Sequence, residues 1–307
     1  MASLPRIVVI TRSTGLELML MRHGTLEQAR FFLRSRGEDP AWHEAVHLAQ
    51  QQTLSRVLSA IPGEQRRVRL DRDGLDRFLF SADDVVVVVG QDGLVPNVAK
   101  YLSGQAVIGI NPDPTTYDGV LCRHPVAEIT PLLLFAADPH TGGGLKCERR
   151  SMAQAVREDG QRLLALNELF VGHRSHQSAR YRITVGQKHE RQSSSGLIIA
   201  TGTGSTGWAR SIARQRGLKD LPYPEAQRLS WFVREPFPSI STGVDLEFGV
   251  IGPGEEVRMV SEMGDGGIIF ADGIESDALD FPSGASVVLS LADERLNLVV
   301  PSRRRSS

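Results

Sequence analysis

The chain has 307 residues, 41 % of them hydrophobic and 23 % charged. That length suits one large domain or two ordinary ones, and the composition excludes a disordered or coiled-coil protein. With 35 Lys and Arg against 36 Asp and Glu, net −1, there is no basic field to hold a nucleic-acid backbone. Cys122 and Cys147 are too few for a disulfide framework or a four-cysteine zinc site and suit a reduced compartment. The opening segment has too short an apolar core, Ile7 to Ile10, for a signal peptide, and no segment approaches the roughly eighteen apolar residues of a membrane span. A cytoplasmic protein without membrane or nucleic-acid partners is expected. The Arg303-Arg304-Arg305 run reads as a solvated end.

In chain order, Arg6 to Ile10 is a short apolar run that predicts a buried parallel strand. Leu26 to Arg36 and Trp42 to Ile61 read as helices, the second stopped by Pro62-Gly63. Val68 to Leu70 predicts a strand and Gly74 to Phe80 a short helix. Val85 to Val89 is five consecutive valines, poor in a helix and suited to a strand covered on both faces. Val95 to Leu102 predicts a helix and Val107 to Ile110 another buried strand. Beyond a linker at Asp138 to Leu145, short strand-like runs recur at Arg180 to Val185, Leu197 to Thr201, Glu256 to Ser261, Gly267 to Ala271 and Ser286 to Leu291. Turn residues punctuate them, which predicts a mostly antiparallel second domain.

Three motifs carry chemistry. His43-Glu44-Ala45-Val46-His47 matches H-E-x-x-H, which puts two histidines on one helix face. Catalytic zinc needs a third protein ligand, and none follows at a recognisable spacing, so a solvated helix face is the plainer reading. Gly202-Thr203-Gly204-Ser205-Thr206-Gly207 matches G-x-G-x-x-G after a predicted strand. A second strand ending in an acidic residue, which a Rossmann fingerprint requires, does not follow. The loop is a plain turn, or its hydroxyls bind a ribose or phosphate. Gly90-Gln91-Asp92-Gly93-Leu94 lies at the carboxyl end of the valine strand, where open α/β sheets place ligands. Asp92 there can cap the following helix, or take a proton from a hydroxyl attacking a phosphoryl group.

Together with Asn167-Glu168 and Thr201 to Trp208, the Gly90 to Leu94 loop resembles the ordered motif set of the NAD kinases, within the superfamily of the diacylglycerol and sphingosine kinases. Val107 to Asn111 with Asp113-Pro114, Val233 to Pro236, and Ala271-Asp272-Gly273 onward resemble its mitochondrial-type branch, so the resemblance covers nearly the whole chain. It implies an α/β N-terminal domain with a parallel, Rossmann-like sheet over residues 1–140, and a β-rich dinucleotide-binding domain over 150–285. A C-terminal strand and tail over 286–307 can return to the first domain. It implies transfer of the ATP γ-phosphoryl group, with Mg²⁺, to the adenosine ribose 2′-hydroxyl of NAD or NADH, in a homodimer. The alternatives are another nucleoside, sugar or lipid alcohol as acceptor, or an NAD(P)-sensing protein.

By the same resemblance Asp92 is the base, and Gly90, Gln91 and Gly93 meet the ATP phosphates. Asn167, Glu168, Thr203, Ser205, Thr206, Asn111 and Asp272 are assigned to NAD, and no residue to a metal. The chain departs from the family pattern at four positions. Gln91 replaces a glycine, Leu94 a threonine, Gly202 a proline and Ser195 an aspartate. A side chain at 91 can crowd the phosphates, and Leu94 removes a hydroxyl donor.

Overall fold

The computed structural model describes residues 4–141 and 144–302. Gly142, Gly143 and the Arg303-Arg304-Arg305 run lie outside the described residues. The chain divides into two compact units, the first ending at Glu148 and regaining the chain from Asn297, the second spanning Arg149–Leu296.

In the first unit the elements run β1 (Ile7–Thr11), α1 (Gly15–His23), α2 (Leu26–Ser35), α3 (Pro40–Ala60), β2 (Arg67–Asp71), β3 (Val85–Val89), α4 (Leu94–Ala99), β4 (Ala106–Ile110) and α5 (Ile129–Ala137). The strands pair in parallel in the order β2-β1-β3-β4, and Asn297 and Leu298 add a further parallel pairing against Ala106 and Val107. Every valine of β3 is buried, as expected for a strand covered on both faces. Leu54, Val57 and Ile61 of the α3 region and Leu132 and Phe135 of α5 pack with Ile7, Val9 and Val87 into one core. The helix starts are built locally. Thr14 and Glu17 form a capping box for α1, and Asp39 caps α3 ahead of Pro40. The expected helix at Gly74 to Phe80 is a 3-10 turn over Arg72–Arg77, and α4 is shorter than expected.

The second unit continues with β5 (Leu145–Arg157), β6 (Arg162–Ala165), β7 (Glu168–His173), β8 (Ala179–Val185), β9 (Lys188–Ser194), β10 (Leu197–Ala200), α6 (Trp208–Gln215), β11 (Leu229–Val233), β12 (Phe248–Ile251), β13 (Glu256–Ser261), β14 (Gly267–Ala271), β15 (Ile274–Asp280) and β16 (Ser286–Pro301). β5 begins, and β16 ends, with residues of the first unit. A six-stranded antiparallel sheet has the order β12-β11-β10-β7-β14-β15, and β16, β13, β8 and β9 pair antiparallel beside it. Leu169, Val171, Leu197 and Ile199 of the first sheet meet Tyr181, Ile183, Val257, Met259 and Leu289 of the second in one core. The opposite face, with Phe170, Ile198 and Phe232, is covered by Ala209, Ile212 and Ala213 of α6. β7 and β10 are therefore apolar on successive residues, whereas β8 alternates buried Tyr181 and Ile183 with exposed Arg180 and Arg182.

Candidate functional site

In the first unit the parallel strands carry Arg12, the Gly90 to Gly93 loop and Asn111 to one edge of the sheet, at the carboxyl ends of β1, β3 and β4. A segment from Gly119 to Cys122 lies directly on β4. A Cβ on Gly109 would stand 2.3 Å from the Leu121 carbonyl oxygen, and Gly119 itself has φ +66. Glycine is needed at 109 for the approach and favoured at 119 for the turn. The approach brings three successive amides onto Asp92. Its Oδ2 accepts from Val120 N–H, and its Oδ1 from Leu121 and Cys122 N–H, each at 2.8 Å.

Asp92 is not the helix cap that the sequence left open. Gly93 holds the N-cap position of α4, with no side-chain hydrogen bond there. Burial, and then the Asp92 charge, push the neighbouring Cys122 thiol far above its ordinary range, so it stays protonated at physiological pH.

Leu94 and Gln91 each have a local structural role. Leu94 is fully buried and lies against Gly90, so it is a core residue where a threonine would bury its hydroxyl. The Gln91 side chain accepts a hydrogen bond from the Arg12 guanidinium at 3.3 Å. Gly93 is exposed, with open space where a Cβ would stand. Asn111 is buried and spends its side chain locally, donating to the Tyr117 carbonyl and accepting from Asp113 N–H, each at 3.0 Å. It braces a turn in which the hydroxyls of Thr115 and Thr116 hold the Asp113 carboxyl below its ordinary range.

The second unit builds its cluster from strand register. Ala200 pairs with Glu168 and Ala271 with Leu169, so the loops after β10 and β14 arrive beside the Asn167-Glu168 step. Asp272, at φ 54, turns its carboxylate back on that step. Its Oδ2 accepts from Leu166 N–H at 2.9 Å, and its Oδ1 from Asn167 and Glu168 N–H at 2.7 and 3.2 Å. Burial, reinforced by the Asp272 charge, raises the Glu168 carboxyl to about 7.

Thr201, which opens the matched loop but to which the resemblance gives no role, is the hub of the hydroxyl loop. Its Oγ1 donates to the Leu166 carbonyl at 2.5 Å and accepts from Thr203 and Gly204 N–H. The first two glycines of G-x-G-x-x-G are packing requirements. A Cβ on Gly204 would meet the Asn167 carbonyl at 2.2 Å, and one on Gly202 the Tyr223 carbonyl at 1.9 Å. The second contact leaves no room for a side chain at 202. The Ser205 hydroxyl donates to the Thr201 carbonyl and the Thr206 hydroxyl to that of Thr203. The Thr203 hydroxyl is buried and has no hydrogen-bond partner among the described residues.

The structure thus gathers Gly90, Gln91, Asp92, Gly93 and Asn111 in one unit, and Asn167, Glu168, Thr203, Ser205, Thr206 and Asp272 in the other. The H-E-x-x-H side chains are committed elsewhere. Glu44 pairs with Arg30 at 2.7 Å, His43 meets Glu38 at 2.9 Å, and His47 meets the Thr14 hydroxyl at 2.9 Å. Among the described residues no group of three His, Cys, Asp or Glu side chains is placed to hold a metal ion, and no helix is long and apolar enough to cross a membrane.

No protein-family model matches the chain. It is 29 % identical to the NAD kinase of Cupriavidus pinatubonensis over 197 residues, 61 % of this chain and 57 % of that protein. It is 26 % identical to human mitochondrial NAD kinase 2 over 257 residues, 68 % of this chain and 58 % of that protein. A third relative, the NAD kinase of Delftia acidovorans, is 31 % identical over 194 residues, covering 61 % and 57 % of the two chains. The chain spans under three fifths of the length of these curated relatives. Among solved structures, an Archaeoglobus fulgidus NAD kinase in complex with ATP superposes with TM-score 0.59 at 18 % identity, over 98 % of this chain and 94 % of that one. Yeast NADH kinase complexed with NADH superposes with TM-score 0.60 at 14 % identity, over 98 % and 85 %.

Proposed function

We propose, on the premise that this chain is related in sequence to the NAD kinases and shares their fold, that it is an NAD kinase. It takes the γ-phosphoryl group of ATP, which enters as its magnesium complex, to the 2′-hydroxyl of the adenosine ribose of NAD or NADH. The observation that carries the reading is Asp92, a carboxylate fixed at the carboxyl edge of a parallel sheet by three backbone amides. Two of those amides occupy Oδ1 and one occupies Oδ2, which leaves a lone pair on Oδ2 to take the hydroxyl proton. As that proton leaves, the ribose oxygen forms its bond to the γ-phosphorus, the bond to the β-phosphate oxygen breaks, and ADP departs. The Gly90, Gln91 and Gly93 backbone would meet the phosphates, and the exposed Gly93 leaves room for them.

In the second unit Asn167 and Glu168 would hold the ribose and nicotinamide side of the dinucleotide. The buried Thr203 hydroxyl, without a partner among the described residues, supports this, since such a group costs about 1–3 kcal/mol until a ligand pairs it. Asp272 would act by ordering the Asn167-Glu168 backbone, and Asn111 by holding the turn beyond β4. Ser205 and Thr206 would exchange their backbone acceptors for ligand oxygens. Domains over 1–140 and 150–285, the 286–307 segment returning to the first, and assembly as a homodimer belong to the same reading. A cytoplasmic setting belongs to it as well, since Cys122 and Cys147 form no disulfide, and sizing chromatography tests the dimer.

The test is purified protein with ATP, Mg²⁺ and NAD or NADH, following NADP(H) through an NADP-specific dehydrogenase, beside Asp92→Asn. Product from the wild type that the variant fails to make supports both the activity and the base. No product from protein that still binds NAD would overturn the kinase and leave an NAD(P) sensor or a kinase for another alcohol.

A further inference from the structure

The phosphate loop lacks the lysine with which P-loop enzymes meet a triphosphate, yet a cation stands beside it. Arg12 follows the last residue of β1, next to β3 in the sheet, so its side chain leaves the same edge as Gln91. It is half-buried, and its backbone is pinned because Gln50 of α3 donates to the Arg12 carbonyl at 2.8 Å. The turn that follows is held by the contact of the Thr14 hydroxyl with His47. His47 of the H-E-x-x-H sequence and Gln50, one turn on, thus brace the segment that presents Arg12.

The carboxylates on the adjoining strand ends are engaged with backbone. Asp71 accepts from Asp73 N–H, and Asp92 is occupied by the 120–122 amides. Glu17, on α1, accepts from Thr14 N–H and Gln51. Arg12 makes no ion pair among the described residues, and its partner is the neutral Gln91 amide at 3.3 Å. A guanidinium carries five N–H donors in a planar fork that matches phosphate oxygens, so most of its donors stay available.

We propose that Arg12, tethered by Gln91, is the phosphate-gripping cation of this loop and takes the terminal phosphates of the nucleoside triphosphate. The proposal rests on the kinase reading of that loop. It also gives Gln91 a purpose: the side chain that replaces the family's glycine reaches sideways to hold the arginine, which glycine cannot do.

Calorimetric titration of the full chain with ATP and with AMP, in Mg²⁺, tests this on wild type, Arg12→Ala, Arg12→Lys and Gln91→Gly. Arg12→Ala is expected to weaken ATP about ten- to a hundredfold, the range for losing hydrogen bonds to a charged group, and to leave AMP within twofold. Arg12→Lys, which keeps charge without the fork, should lose less. Gln91→Gly should weaken ATP about threefold by freeing the arginine. In turnover, the KM for ATP rises and that for NAD stays. ATP affinity in Arg12→Ala within twofold of wild type overturns the proposal. So does an equal fall in ATP and AMP affinity in both Arg12 variants, or a wild type that binds no ATP. Wild type that binds ATP but phosphorylates neither NAD nor NADH sinks the kinase reading alone, and the Arg12 assignment is then decided by the titrations.

Discussion

In the first unit Asp92 accepts the amides of Val120, Leu121 and Cys122, and in the second Asp272 accepts those of Leu166, Asn167 and Glu168. The hydrogen-bond inventory is the same, one carboxylate closing three consecutive N–H groups, but the surroundings differ. Asp92 lies in a turn at the end of a parallel strand, beside a buried thiol that burial, and then the Asp92 charge, hold protonated. Asp272 sits on left-handed backbone and faces a second, half-buried carboxyl, Glu168, which it helps keep protonated to about 7. An identical cradle can therefore sit beside a buried thiol in one unit and beside a carboxyl whose titration it shifts in the other.

The comparison breaks hardest at turnover. Asp92→Asn is expected to lower kcat by about 10²–10⁴, the range for losing a general base, while Asp272→Asn should act mainly on the KM for NAD. Steady-state kinetics on the two variants checks this, and equal kcat losses would mean that the cradles are not functionally distinct. Asparagine in either cradle turns an NH₂ toward an amide N–H, so both variants should also lose about 1–3 kcal/mol of stability.

A larger loss of stability is expected for Asp272→Ala, about 3 kcal/mol or more. It strips all three amides of their acceptor and puts alanine at φ 54, which asparagine tolerates better. Urea unfolding of the Asn and Ala variants orders them. Equal midpoints would show that the cradle contributes little.

Glu168 sharpens the contrast through pH. Its folded carboxyl titrates near 7 against 4.5 for an ordinary glutamate. The folded state therefore holds the extra proton between those values, and stability falls as pH rises through that window and levels off above 7. Glu168→Gln removes the charge that must otherwise be buried, and should raise stability at pH 8 by up to about 3 kcal/mol, leave it nearly unchanged at pH 4, and weaken NAD binding. Melting temperatures at the two pH values check the sign, and a variant less stable at pH 8 contradicts the burial argument.

The smallest effect belongs to Leu94→Thr, which puts a hydroxyl where the buried leucine packs against Gly90. Burying it without a partner should cost about 1–3 kcal/mol, with no gain in kcat. A gain would mean that the loop backbone moves to bring the hydroxyl to a phosphate.

Much of this was legible in the sequence. Five valines ending in Gly-x-Asp-Gly announced a buried strand with a glycine loop at its carboxyl end, and the same residues placed Asp92 in that loop. Helix α1 escaped notice because its apolar residues are scattered, with Leu18 and Met21 left exposed. The G-x-G-x-x-G spacing was visible, but its reason was not, since the carbonyls of Asn167 and Tyr223 that forbid a Cβ come from other strands and loops.

The sequence by itself determined which stretches are buried on both faces and the order in which the Gly90, Asn167 and Thr201 motifs follow one another, because side-chain type and spacing carry that information. Only the tertiary structure decided what those residues meet. The amides on Asp92 lie 28 to 30 residues away and those on Asp272 lie 104 to 106 away. A backbone N–H looks the same at every residue except proline, so nothing in the letters at 120–122 or 166–168 marks them as donors until the chain brings them to a carboxylate.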